Sequence, residues 1–132
     1  MSGTALARAA ESFVGASFRL HGRDPIMGVD CVGLVLLAMA EVGRPGRLPV
    51  SYALRNLEPE RFMRLPAAAG FFEPDDDELE PGDVLVFSPG PAQLHLAVVA
   101  LSGIVHAHAG LRRVVRTPFP LPWPIIGHWR LT

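Results

Sequence analysis

Cys31 is the only cysteine in the sequence, and it stands in the stretch GVDCVGLVLLA, residues 28 to 38. A lone thiol in an apolar run ordinarily packs as a small hydrophobe. Its surroundings suggest another use. Asp30, of a type that favours helix N-caps, precedes it, and a segment suited to a buried helix follows. A helix N-terminus carries roughly half a positive elementary charge, which favours thiolate over thiol. Gly33, in the first turn, leaves room for another backbone or a substrate to come close. Cys31 is therefore expected at a helix N-terminus, facing a cleft.

A thiol nucleophile needs a proton-transfer partner, normally histidine. The sequence holds five: His21, His95, His106, His108 and His128. His95 opens the apolar strand HLAVVAL. His106 and His108 lie two apart in IVHAHA, so they share one face of a strand. If Ser102-Gly103 is a two-residue turn, Leu101 opposes Ile104, Val99 opposes His106 and Ala97 opposes His108. His95 then projects to the same face as both. Buried imidazoles need partners, and a base with an orienting residue on a neighbouring strand is the logic of a catalytic triad. His21 and His128 read as structural. One Cys and three His can also bind zinc tetrahedrally, but Cys31 lacks the close second ligand of common structural zinc sites. No metal and no cofactor are expected.

The elements that must position these groups follow from periodicity and punctuation. Residues 4 to 15 read as a helix with Leu6, Ala9, Ala10, Phe13 and Val14 on one face, stopped at Gly15. Residues 16 to 29 read as a loop. Residues 31 to 42 form the strongest helix, apolar all round and ended by Gly43. One or two helical turns are expected within 57–69, and a solvated acidic loop over 75–80. DVLVFS, HLAVVAL, IVHAHA, RRVVRT and IIGHWRL then read as strands, with the Pro-rich PFPLPWP as a connector. Helices followed by antiparallel strands make an α+β domain, with no internal boundary over 1–132.

Composition narrows the function. The 132 residues suffice for one core, with 49% hydrophobic and 19% charged residues. The formal net charge is -1, so nothing favours nucleic acid or an anionic membrane. All 12 basic residues are arginine, a composition bias rather than a functional signal. The N-terminal stretch lacks the apolar core of a signal peptide, and no run approaches the roughly 18 apolar residues of a membrane span. The chain is expected to be made in the cytoplasm, with export inside a particle left open.

GVDCVGLV, LEPGDVLVF, HLAVV and IVHA, in that order, resemble the NlpC-type cell-wall peptidases of the papain-like superfamily. GASFRLHG resembles the loop that precedes the nucleophile there. The Pro/Trp segment and closing GHWRL resemble the short form encoded with phage and gene-transfer-agent tail genes. The resemblance covers roughly residues 5 to 131. It implies a papain-like fold, with N-terminal helices packed on an antiparallel sheet. It also implies a cysteine endopeptidase acting on peptidoglycan stem peptides, with possible partners among tail proteins of a phage-like particle. A Cys-His-His triad falls on Cys31 as nucleophile, His95 as base and His106 as orienting residue, with His108 as the alternative third member. The oxyanion would be held by the backbone N–H of Cys31. Phe18, Asp30 and His108 are the expected substrate contacts, and Asp83 is expected to fix local structure. Val32 stands where the family usually has Ser, and Phe18 where many members have Tyr. These departures suit the alternative reading, a tail-tip structural or binding module that keeps the fold without the activity.

Overall fold

In the computed structural model, residues 2–44, 70–90, 94–121 and 123–131 are described. The first helix, α1, spans Ser2–Ser12 and buries Leu6, Ala9 and Ala10. It ends earlier than its apolar face suggests, because the Ser12 hydroxyl donates back to the Ala9 carbonyl at 2.6 Å and competes with the helical pattern. Phe13 and Val14 pack against the core from just beyond the helix. Gly15 makes the turn at a φ of 96°.

The expected loop over 16–29 contains a small antiparallel ribbon. Its strands are β1 (Arg23–Asp24) and β2 (Gly28–Val29). Two-residue strands carry too few side chains to show a period, so alternation could not reveal them. The second helix, α2, spans Cys31–Glu41 and is buried over most of its first half. Val42 and Gly43 donate to the carbonyls of Ala38 and Ala40 and close it. The acidic run 75–78 is exposed, as expected of a solvated loop. The helical turns expected within 57–69 lie outside the described residues.

Six further strands form one antiparallel sheet: β3 (Phe71–Phe72), β4 (Val84–Phe87), β5 (His95–Val99), β6 (Gly103–His108), β7 (Arg113–Pro118) and β8 (Ile125–Leu131). Their order is β3-β8-β4-β5-β6-β7. Central β4 is buried at every position, because both faces of the sheet are covered. Val84 and Val86 point into the main core with Leu96, Val98, Leu34 and Val35. Leu85 and Phe87 point the other way, with Ala97, Val99 and Ile104, under Leu79, Leu121 and Trp123. Burying each such aliphatic side chain stabilises the fold by roughly 1.5–3 kcal/mol. The α+β expectation holds, with the helices on one face of the sheet.

The β5–β6 turn lies one residue earlier than expected, with Leu101 and Ser102 rather than Ser102 and Gly103 as its two residues. Ala100 N–H donates to the Gly103 carbonyl at 2.9 Å, and the observed pairs are Val98↔Val105 and Val99↔Ile104. Val99 therefore faces Ile104 rather than His106. The shift is even, so no side chain changes face.

Candidate active site

Asp30 builds the entrance to α2. It is fully buried and caps the helix, with Oδ1 accepting from Gly33 N–H at 2.8 Å. Oδ2 accepts from the His21 N–H at 2.8 Å, and Arg23 Nη1 donates to Oδ1 at 3.1 Å. The carboxylate thus ties the 21–23 loop to the helix start. It supports the site from within, and this geometry gives the expected substrate contact at Asp30 no support. Gly33 serves the same purpose: a Cβ there would lie 2.0 Å from the Gly22 carbonyl oxygen. The close neighbour that Gly33 admits is backbone.

Cys31 occupies the first position of α2, as expected. Its sulfur accepts a hydrogen bond from the Leu96 backbone N–H, next to His95 on β5. The expected open cleft is not observed, since Cys31 is 0% exposed. Thiolate formation is not favoured either. Burial pushes the thiol up to about 12, outweighing the lowering from backbone N–H groups, and the Asp30 charge adds to the rise. The local field of a helix N-terminus favours an anion, but desolvation acts on the whole charge and wins here.

The three histidines share one face, as alternation requires. His95 Nε2 and His106 Nδ1 lie 2.7 Å apart, and His106 Nε2 lies 2.7 Å from Thr117 Oγ1 on β7. The His95 and His106 rings meet edge-on with centroids 5.0 Å apart. Burial holds both imidazoles neutral: His95 falls to about 3, helped by the charges of His106 and His108. His106 falls to about 4, helped by His108. Trp123 covers both rings edge-on, at centroid distances of 5.2 and 5.7 Å.

His108 is drawn elsewhere. Its Nδ1 accepts from the Leu111 N–H at 3.1 Å in the turn leaving β6. Between the two candidates for the third position, the hydrogen bond to His95 belongs to His106. Phe18 is half-buried, packs against the main core, and bridges to Val29 through backbone. Thr117 and Trp123 were not singled out from sequence. Thr117 sits within RRVVRT and Trp123 within the Pro-rich connector. Only the β6–β7 register and the path of the connector bring them to the histidines.

A second buried carboxylate lies on the same sheet. Asp83, 1% exposed, receives Arg130 at 2.9 and 3.0 Å, and Glu80 N–H at 2.9 Å. His128 meets its Oδ2 at 2.5 Å. Arg130 and His128 bonds, together with Glu80 N–H, hold its carboxyl below the usual range despite burial. This cluster clamps the turn before β4 onto β8, which accords with a structural role for Asp83 and His128.

A scan against models of protein families and a search of curated proteins returned no match. Solved structures identify the fold. NlpC1 from Trichomonas vaginalis matches with a TM-score of 0.69 and 20% identity, over 97% of this chain and 44% of that one. RipB, a peptidoglycan hydrolase from Mycobacterium tuberculosis, matches at 0.62 and 22%, over 97% of this chain and 63% of that one. The P60 domain of an antigen from M. avium subspecies paratuberculosis matches at 0.62 and 21%, over 98% and 93%. The chain thus spans less than half of the NlpC1 chain, 44%, but nearly all of the P60 domain, 93%. Among the described residues, two helices on an antiparallel sheet, arranged as in these proteins, define the class. The chain has the papain-like fold of NlpC/P60 domains.

Proposed function

We propose that this chain is a cysteine endopeptidase that hydrolyses amide bonds in peptidoglycan stem peptides. The observations that carry the reading are Cys31 at the start of α2, its bond to the Leu96 N–H, and the His95–His106 pair that begins at the preceding residue of β5. The thiol at the start of α2 is hydrogen-bonded to β5 beside a histidine whose Nε2 is engaged by a second histidine. With Nε2 engaged by His106, Nδ1 is the His95 nitrogen that would take the thiol proton once the two groups meet. RipB, one of the structural neighbours, is a peptidoglycan hydrolase by name.

The resting pair is neutral, with the thiol at about 12 and His95 at about 3. The proton therefore moves during attack rather than before it. Cys31 Sγ bonds to the amide carbonyl carbon as its proton passes to His95 Nδ1. The carbonyl oxygen becomes an oxyanion, facing the Cys31 N–H at the helix N-terminus. His95 then returns the proton to the leaving amine, and a thioester remains. Water, deprotonated by His95, hydrolyses it and restores the thiol. The buried sulfur has to be uncovered before it can attack.

We also place the protein in the tail of a phage-like or gene-transfer-agent particle, opening the wall locally at entry. The basis is the resemblance of the Pro/Trp segment and the closing GHWRL to the short tail-associated form of the family. Its presence in purified particles, detected by mass spectrometry, is the expected result.

One observation favours a second reading. A fully buried thiol held up to about 12 suits a tail-tip binding module that keeps the fold without the chemistry. Digestion of purified sacculi separates the two. Fragments released by the wild type and not by Cys31→Ala establish the peptidase. Binding to sacculi with no fragments from either establishes the module.

A further inference from the structure

Charge is unevenly placed along this chain. None of its 13 acidic residues lies beyond Asp83, so the strands from β4 to β8 bring no carboxylate of their own. They do bring arginine. Arg116 is ion-paired to Glu11, and Arg130 to Asp83. The ion pairs among the described residues leave out Arg112 and Arg113, both exposed where the turn from β6 enters β7. They also leave out Arg19, which is exposed on the neighbouring segment.

Backbone contacts hold the three together. Phe18 N–H donates to the Arg112 carbonyl at 2.9 Å, and Ser17 bridges to Arg113. The other edge of the same segment meets β2. There Val29 N–H donates to the Ser17 carbonyl at 2.8 Å, and Arg19 N–H to the Val29 carbonyl at 3.0 Å. Asp30 and Cys31 follow Val29 directly. On the histidine side, Arg113 pairs with His108, and Val115 with His106. Arg113 is thus the diagonal neighbour of His106, roughly 7–8 Å away, and leaves the sheet on the face that carries the imidazoles. The arginines stand at the seam between the strand leading to Cys31 and the strands bearing the histidines.

We propose that Arg19, Arg112 and Arg113 form an anion subsite that binds a free carboxylate of the stem peptide and so selects which peptides reach Cys31. The naming of the stem peptide rests on the peptidase reading above. A guanidinium offers a planar fork of donors that matches a carboxylate. Asp24, in the small ribbon, is turned to its own loop, where it accepts from the Ile26 and Met27 N–H groups at 2.7 and 3.2 Å. An extended peptide covers about 3.3–3.6 Å per residue, so the anchored carboxylate falls a few residues from the bond that is cut. The excess of positive charge at this seam also draws an anionic peptide towards it.

Binding of two synthetic stem peptides to the full chain carrying Cys31→Ala tests this, one with free carboxylates and one with every carboxylate amidated. The free form should bind about tenfold tighter, since an exposed ion contact is worth up to about fivefold and more than one arginine meets the carboxylate. Arg19→Gln, Arg112→Gln and Arg113→Gln together should erase that preference and keep the affinity for the amidated peptide. Equal affinity for the two peptides with all three arginines in place overturns the proposal, whether or not the triple variant folds. So does a folded triple variant that still prefers the free carboxylates. Sacculus binding that depends on the arginines without any preference between the peptides gives this face to another wall anion, such as phosphate, and overturns the proposal as well. A carboxylate preference that stands while the wild type releases no fragments from sacculi overturns the peptidase reading alone and leaves the subsite.

Discussion

Two histidine clusters lie on the same sheet and are built on opposite principles. At the β5–β6–β7 end, His95 and His106 bond to one another and to a hydroxyl, under Trp123, with no carboxylate among the described hydrogen bonds. At the β4–β8 end, His128 and Arg130 converge on the buried Asp83. The first cluster keeps its imidazoles neutral by burial, so a proton arriving on His95 is not trapped by a fixed counter-charge. The second fixes charge for good and spends it on holding a turn. A group that must pass a proton on needs the first environment, and a clamp needs the second.

Removing one member from each cluster should separate chemistry from stability. His95→Ala should cost roughly 10²–10⁴-fold in stem-peptide hydrolysis, the usual worth of a general base, and less stability than the clamp variant. Asp83→Asn should do the reverse. Breaking a buried ion pair costs about 3 kcal/mol or more in stability, while hydrolysis per folded molecule should hold. If Asp83→Asn loses activity with its stability intact, the clamp is part of the machinery and the contrast fails.

The third histidine gives a smaller effect. His106→Ala should slow hydrolysis by about tenfold, since the base remains but its orienting hydrogen bond is gone. His108→Ala should do less, because its ring serves the Leu111 N–H rather than His95. Turnover measured on the two variants side by side decides the order, and a more damaging His108→Ala would reassign the triad.

A further effect is in the pH dependence of stability. His95 and His106 titrate near 3 and 4 in the folded chain, against roughly 6.5 unfolded. Below the unfolded value the unfolded chain binds more protons, so stability falls as pH drops from about 6.5 towards the folded values. Asp83 is lowered, so its contribution is intact above the unfolded carboxylate value of about 3.9 and is lost only below it. Thermal melts should therefore decline first in the histidine window and again in the carboxylate window. A His95→Ala, His106→Ala double variant should flatten the first decline and leave the second.

Local rules made several parts of this molecule legible. Asp30 before an apolar run announced the start of α2, because capping is decided within one turn. Alternation put His95, His106 and His108 on one face, and it survived a wrong register, because the β5–β6 shift was by two residues. Continued from Val98↔Val105, the observed register would set His108 opposite His95 and His106 on the diagonal, and the hydrogen bond goes to the diagonal His106. His108 turns to the loop beyond.

What the sequence determined by itself was the set of chemical groups, the helix that presents Cys31 and the strand face that carries the imidazoles. Each depends on neighbours a few positions away. Only the tertiary structure decided the partner of His95, the Thr117 hydroxyl beside His106 and the cover Trp123, which come from remote strands and a connector. It also decided the charge state of the thiol. Position at a helix N-terminus is a local property and favours thiolate. Burial is set by the whole packed core, and desolvation of a full charge outweighs the partial charge of one helix end.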